Sequence, residues 1–303
     1  MLYVSQKDTM TPQLTVLSYG GGQDSATILH RIDTDRKFRQ TYAPKRLLII
    51  LSGTGNEHPD TAAYVEYTED LCRRRGLEFV HLTPDFGFHR GNWQSLQHFY
   101  KAKTTCGSKA YPKSCTDALK VSVIYRFLET WLGREYGMPV GRKQGIRAFA
   151  ARYGPIRVLL GIAAGEEKRI GAPTGGTDWM STCLERRYPL IELRWDRGAC
   201  QAYLRAIGRP VPPPSNCVYC PFKSEIEILW TARRYPAAFA EWVAIEAAKL
   251  AKHAALGDRN LGVFGRRTLP EVLATAERTY AHLADADLDA YRFSHGHGVC
   301  SIY

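Results

Sequence analysis

The sequence contains no uninterrupted apolar run of about 18 residues, so it predicts no membrane-spanning helix. Residues 1–12 are polar and lack the apolar core of a signal peptide. Acidic residues are in the minority, because 30 Asp and Glu face 41 Lys and Arg and leave a net charge of +11. These features predict a cytoplasmic protein with no membrane partner. The basic excess favours polyanionic partners, either nucleic acid or nucleotide substrates.

Two common phosphate-binding signatures are also missing. No glycine-rich stretch ends in Gly-Lys-Ser or Gly-Lys-Thr, and none makes a good dinucleotide fingerprint. Residues 18–25 instead read Ser-Tyr-Gly-Gly-Gly-Gln-Asp-Ser, after the apolar run 14–17 and before a helix-like stretch. Consecutive glycines bring backbone N–H groups close to a ligand, and a helix N-terminus adds partial positive charge. This glycine loop therefore predicts an anion site, most often for phosphate.

Further apolar runs predict an α/β fold with a doubly wound parallel sheet. Residues 46–51, 77–82 and 156–162 are typical of buried strands, and 59–75 predicts a helix that ends at Gly76. Strands that alternate with helices favour parallel pairing, with the ligand at the carboxyl ends of the strands.

The predicted sheet ends before a cysteine-bearing, mostly helical region. We expect a nucleotide-binding α/β domain over residues 1–195 and a small helical C-terminal subdomain over 196–303. Two other stretches are basic. Residues 83–113 also contain many aromatics and predict either a substrate arm or a loop with a small packed cluster, and 134–154 predict an exposed connection.

Eight cysteines in a cytosolic chain favour metal, cluster or redox chemistry over a disulfide framework. The Cys217-x-x-Cys220 spacing lets two thiolates face one ion or cluster, and it also suits a redox pair. Cys115 and Cys200 complete a candidate set of four, with Cys106 as the replacement for Cys200. Four thiolates suit a 4Fe–4S cluster or zinc, and spacing alone does not separate them.

The glycine loop resembles the PP-loop of the adenine-nucleotide alpha-hydrolase superfamily, whose usual form is Ser-Gly-Gly-x-Asp-Ser. Here Gly20 stands at the first Ser, and Gln23 stands where many members have Lys. Residues 53–59 and 114–121 are similar to segments of the phosphoadenosine phosphosulfate (PAPS) reductase-like family. The resemblance implies a Rossmann-like fold that binds ATP, or adenylyl sulfate or its 3′-phosphate form, with Mg²⁺.

The resemblance also implies residue roles. Lys120 and Arg169 would supply positive charge to the reacting phosphates, although Lys120 also suits the surface of an amphipathic helix. It favours a 4Fe–4S cluster over zinc on Cys115, Cys200, Cys217 and Cys220. The nucleotide-binding candidates are Ser18, Gly20, Gly21, Gly22, Gln23, Asp24, Ser25, Gly53 and Glu57, the last of which is alternatively a helix cap.

Three functions follow from these features. The favoured one is an ATP pyrophosphatase of nucleic-acid sulfur transfer or related modification, similar to DNA phosphorothioation proteins, with a sulfur-donor desulfurase as partner. The alternative is a thioredoxin-dependent sulfonucleotide reductase in which Cys300 attacks sulfur, unless Cys300 is an inert thiol in an unstructured end. The third is a non-catalytic nucleotide-binding or nucleic-acid-binding protein, which the departures at Gly20 and Gln23 favour.

Overall fold

The structure is a computed structural model that describes residues 11–111, 114–170, 179–257 and 261–295. These residues form one five-stranded sheet and thirteen α-helices. The strands are β1 (Leu14–Tyr19), β2 (Arg46–Ser52), β3 (Glu78–Leu82), β4 (Ile156–Leu160) and β5 (Leu184–Arg187). The helices are α1 (Gln23–Thr34), α2 (Arg36–Tyr42), α3 (Pro59–Arg75), α4 (Leu96–Lys103), α5 (Ser122–Tyr136), α6 (Gln144–Tyr153), α7 (Trp179–Cys183), α8 (Pro189–Glu192), α9 (Arg197–Ala206), α10 (Glu225–Arg234), α11 (Pro236–Ala255), α12 (Leu269–Thr279) and α13 (Asp285–His295).

All strand pairs are parallel, in the order β3-β2-β1-β4-β5. The chain leaves β1 toward β2 and β3 on one side and returns to β4 on the other side. The carboxyl ends of β1 and β4 therefore flank the point where strand order reverses, which is the usual ligand site of such sheets. The predicted α/β class and parallel sheet are confirmed.

Alternate residues of each strand pack against opposite layers. Val16, Leu48 and Val158 join a hydrophobic cluster with residues of α5 and α6. Leu17 and Ile49 join another with residues of α1, α2 and α3. A sheet buried on both faces explains why these strands read as continuous apolar runs.

The sequence reading missed β5 and several helices, among them α6 and α13. β5 is a short edge strand that contains Glu185 and two arginines, so it lacks an apolar signature. The stretch 134–154, expected as an exposed connection, contains α6, whose Ile146 and Phe149 are fully buried. The basic residues of α6 hide an apolar face that packs beside α5. Helix α13 was likewise not expected.

The predicted helix stop at Gly76 is confirmed, and Ser224 caps α10. Gly76 adopts a left-handed conformation at the end of α3, with φ of 62°. The Ser224 hydroxyl accepts from the Glu227 backbone N–H, while the Glu227 carboxylate accepts from the backbone N–H of Ser224. In the part of the chain that the structure describes, no helix has the length and apolar content needed to cross a membrane.

Candidate active site

The glycine loop connects β1 to α1 at the carboxyl edge of the sheet. Gly21 has φ of +70°, and a Cβ there would lie 3.2 Å from Val65 Cγ2, so this position requires glycine. The Gly20 backbone N–H donates to Ser25 Oγ, at 3.2 Å. Gly22 caps α1 and offers no side chain to the first N–H groups of the helix. Those donors are consequently oriented for an anion rather than for a cap.

A cavity of about 720 Å³, counting the space open to solvent, lies over this loop. Its walls come from the segments after β1, β2 and β4, from the turn before α5, and from the chain before α10. At Gly161 a Cβ would lie 2.7 Å from the Ser25 backbone nitrogen, so glycine is needed where β4 meets the start of α1. The lining residues are Ser18, Tyr19, Gly20, Gly22, Gln23, Asp24, Ser25, Ser52, Lys120, Ile124, Leu160, Gly161, Ile162, Arg169, Arg197, Pro214 and Ser215.

Three basic side chains converge on this cavity. Lys120 is buried on a π-helical turn, Asp117–Val121, that precedes α5. Arg169 pairs with Glu166, and its Nη1 lies 3.8 Å from Asp24 Oδ2. Arg197 Nη2 lies 2.6 Å from the other oxygen of Glu166. The predicted Lys120 and Arg169 are thus brought together with Arg197, which no sequence motif singles out.

Asp24 is the buried carboxylate of the cavity. Burial raises its pKa to about 6, against the opposing effect of Arg197. Among the described residues, its Oδ1 is buried without a hydrogen-bond partner. A buried carboxylate oxygen without a partner, beside the glycine loop, suits Mg²⁺, which proteins commonly bind through one or two carboxylates.

Gln23 lines the cavity but binds the C-terminal helices. Its Nε2 donates to the backbone carbonyl of Phe293 on α13 at 3.3 Å, and its Oε1 accepts from Gln201 on α9 at 3.0 Å. The positively charged side chains that line the cavity, Lys120, Arg169 and Arg197, come from other parts of the chain.

Gly53 and Glu57, the nucleotide-binding candidates after β2, do not line the cavity, whereas Ser52, the last residue of β2, does. The Ser52 hydroxyl donates to the Leu119 carbonyl at 2.6 Å and so supports the turn that carries Lys120. The Glu57 carboxylate accepts from the Thr54 backbone N–H at 2.6 Å and lies against Gly53. Gly53, Glu57 and the glycine of the first loop at position 21 are not among the residues that line the cavity. The predicted nucleotide role of Glu57 stays a prediction.

The structure brings together three of the four candidate metal cysteines. Cys217, Cys220 and the half-buried Cys115 belong to one hydrophobic cluster, which also includes Cys106. Burial, reinforced by the neighbouring Cys217 and Cys115 thiols, raises the pKa of Tyr100 within this cluster. Cys106 and Cys115 both line a second cavity, beside Tyr100.

Cys200 lies elsewhere, because the apolar face of α9 packs on α1. It is fully buried in the cluster that contains Leu17 and Leu190, and burial raises its pKa to about 12. Throughout the described ranges, no three His, Cys, Asp or Glu side chains are close enough to hold a metal ion. The donor chemistry of the shared cluster suits a 4Fe–4S group, but the positions of the thiols do not form its site.

The structure describes most of the aromatic stretch 83–113 but not Cys300. Within 83–111, Trp93 stacks on Phe99 with ring centroids 3.6 Å apart, so the aromatics largely form a packed cluster rather than an open arm. Phe86 and Tyr111 remain exposed. Cys300, the candidate nucleophile of the reductase alternative, lies outside the described residues.

No protein-family model and no curated protein sequence matches this chain. Among solved structures, it is similar to the U34-tRNA thiolase NcsA from Methanococcus maripaludis with its [4Fe-4S] cluster. That likeness spans 98% of this chain and 83% of the thiolase chain, at 11% sequence identity and a TM-score of 0.37. A likeness this weak carries no information about activity.

Proposed function

We propose that this protein binds ATP at the glycine loop and transfers adenylate to an oxygen of a nucleic acid, with release of pyrophosphate. Adenylation would activate that position for sulfur transfer or a related modification. The observation that carries the proposal is the cavity at the strand-order reversal, where a glycine loop faces Lys120, Arg169 and Arg197. A capless helix start and three cations together match a polyphosphate better than a neutral ligand.

The reaction needs charge stabilisation more than acid–base chemistry. The acceptor oxygen forms a bond to the α phosphorus of ATP, and the bond from that phosphorus to the oxygen bridging to the β phosphorus breaks. The electron pair leaves with pyrophosphate, whose growing charge Lys120, Arg169 and Arg197 would stabilise. A reduced sulfur donor would then attack the atom that bears the adenylated oxygen, and the bond between that atom and the oxygen would break to release AMP.

Asp24 would hold Mg²⁺ beside the phosphates, through the carboxylate oxygen that lacks a partner among the described residues. When bound, Mg²⁺ neutralises phosphate charge and polarises the reacting phosphoryl group. Because the pKa of Asp24 is about 6, this carboxylate is mostly ionised at neutral pH.

A basic surface next to the cavity supports a nucleic-acid substrate. Lys143 Nζ lies 5.2 Å from the centroid of the Tyr125 ring, and Tyr125 follows the cavity residue Ile124 on α5. Arg142 is exposed beside it, and Arg126 is also close to Lys143, whose pKa is lowered by burial against the opposing effect of Glu129. Neighbouring cations can contact successive phosphates of a nucleic-acid backbone.

We also propose that the protein binds a 4Fe–4S cluster, with Cys106 in place of Cys200 as the fourth cysteine ligand. The four thiols of Cys106, Cys115, Cys217 and Cys220 share one hydrophobic cluster. Since their present positions do not form a finished metal site, we assign no step of the reaction to the cluster.

The proposal is tested by the products formed from ATP with Mg²⁺, alone and with transfer RNA or duplex DNA. We expect equal amounts of AMP and pyrophosphate after a nucleophilic sulfur donor is added, and a loss of at least tenfold in Lys120→Met. Lys37→Met, at an exposed position of α2, is the matched control and should retain activity. ADP and orthophosphate, or sulfite released from adenylyl sulfate with thioredoxin, would overturn the proposal.

A further inference from the structure

We propose that Ser215 is a phosphate-binding residue of the glycine loop, supplied by the chain that precedes α10. The inference rests on the proposed nucleotide site and adds a residue that no motif marks. Ser215 follows three consecutive prolines, 212–214, far from the loop in sequence, yet it lines the same cavity.

The evidence is how closely Ser215 approaches the loop glycines. A Cβ at Gly22 would lie 2.6 Å from Ser215 Oγ and 3.3 Å from the Ser215 backbone nitrogen. Real side chains essentially never come this close, so glycine at position 22 is what admits the Ser215 hydroxyl. The absence of a side chain at this position therefore has a structural reason beyond the conformation of the loop.

The Ser215 hydroxyl also lies near Gly20, at a distance that would leave room for a side chain. A Cβ built there would lie 3.7 Å from Ser215 Oγ and 4.0 Å from Ser25 Oγ. Two hydroxyls thus flank Gly20, one from α1 and one from the chain before α10.

A buried arginine fixes the segment that carries Ser215. Arg292 on α13 donates from Nη2 to the Pro214 carbonyl at 3.4 Å and from Nη1 to Asp60 Oδ2 at 2.8 Å. Its guanidinium lies 4.2 Å from the ring centroid of Trp230. Proline stiffness and these contacts hold the hydroxyl in place before a ligand arrives, which lowers the entropy cost of binding.

The chemistry suits a phosphate oxygen. Within the described part of the chain, the Ser215 hydroxyl has no hydrogen-bond partner, and the residue is half-buried at the cavity wall. A hydroxyl donates one hydrogen bond without adding charge. The Ser25 hydroxyl already donates to the Gly22 carbonyl at 3.2 Å, so Ser215 would add a donor to a phosphate held between α1 and the C-terminal region.

The test is calorimetric titration with ATP and Mg²⁺, and separately with inorganic pyrophosphate. Ser215→Ala should weaken binding about tenfold, as expected for a hydrogen bond to a charged group. The double variant Ser215→Ala with Gly20→Ser should recover most of that loss, because a side chain at position 20 makes only ordinary contacts. Thermal unfolding of each variant separates lost binding from lost folding.

The possible outcomes distinguish failure of the Ser215 proposal from failure of the nucleotide-site proposal. Unchanged affinity in Ser215→Ala, with the wild type binding normally, overturns the role of Ser215 and leaves the nucleotide site standing. Weaker binding that Gly20→Ser does not restore, together with a lower unfolding temperature, shows a structural role only and also overturns it. A wild type that binds neither ATP nor pyrophosphate overturns both proposals.

Discussion

Gln23 donates a hydrogen bond to the backbone carbonyl of Phe293, and so joins the first residue of α1 to the last turn of α13. The same carbonyl accepts from Gln201 Nε2 at 3.4 Å. A residue of the glycine loop is therefore hydrogen-bonded to both α9 and α13, which are distant from it in sequence. The C-terminal region is part of the wall of the candidate site.

The hydrogen bonds among Gln23, Gln201 and Phe293 predict that substitutions at Gln23 and Gln201 have coupled effects on stability. Gln23→Ala should lower the free energy of unfolding by about 1 to 2 kcal/mol, because it removes two partly buried hydrogen bonds. Gln201→Ala should cost a similar amount, since it also removes two bonds of this network, to Gln23 Oε1 and to the Phe293 carbonyl. Urea unfolding of both variants and the double variant measures the coupling, and costs that simply add would contradict a shared network.

Arg197 should contribute directly to nucleotide affinity. Arg197→Gln removes a cavity cation and frees one oxygen of Glu166, so ATP binding should weaken by about 10-fold to 100-fold. Arg205→Gln, on the exposed face of the same helix, is the matched control. If calorimetry gives equal losses for the two variants, the effect is general electrostatics and Arg197 has no specific role.

Asp24 should make stability depend on pH. Its folded-state pKa is raised from 3.8 to about 6, so the native state is favoured while Asp24 is protonated and loses that advantage as pH rises through 6. The shift corresponds to about 3 kcal/mol. Asp24→Asn should therefore match the wild type near pH 4 and exceed it in unfolding free energy at pH 7 to 8.

The same carboxylate should affect Mg²⁺ differently. In Asp24→Asn, the dependence of ATP affinity on Mg²⁺ should largely disappear, although the protein is more stable. Denaturant unfolding across pH and titrations with and without Mg²⁺ check both effects. A variant less stable than the wild type at pH 8 would contradict the account of Asp24.

Cysteine substitutions should distinguish the two candidate fourth ligands. Iron content and visible absorbance of protein purified without oxygen should fall in Cys106→Ala and Cys217→Ala but not in Cys200→Ala, because Cys200 is buried among residues of the sheet and α1. Cys72→Ala, another buried cysteine, is a control for packing loss. Loss of iron in Cys200→Ala alone would reverse the assignment.

Much of the sheet could be predicted from the sequence because buried parallel strands carry a local signal. The continuous apolar runs at β1, β2 and β4 report burial on both faces. The glycine loop could also be predicted, because its glycines, Asp24 and Ser25 are adjacent in sequence and form a local signal. β5 carried no such signal, because an edge strand rich in charge does not read as buried.

The missed site residues are those that reach the cavity through tertiary packing. Arg197 does so because α9 packs on α1, and Ser215 because Arg292 holds the preceding proline. The same packing of α9 carries Cys200 away from Cys217. No spacing rule relates such residues to the glycine loop, so only the folded chain brings them together.

Hydrogen exchange of the backbone amides of residues 20–26, with and without ATP and Mg²⁺, tests the central claim most directly. If the glycine loop and the first turn of α1 hold the phosphates, these amides should exchange more slowly with ATP, and the protection should disappear in Lys120→Met. Protection elsewhere on the chain with none in this segment would contradict the assignment of the nucleotide site.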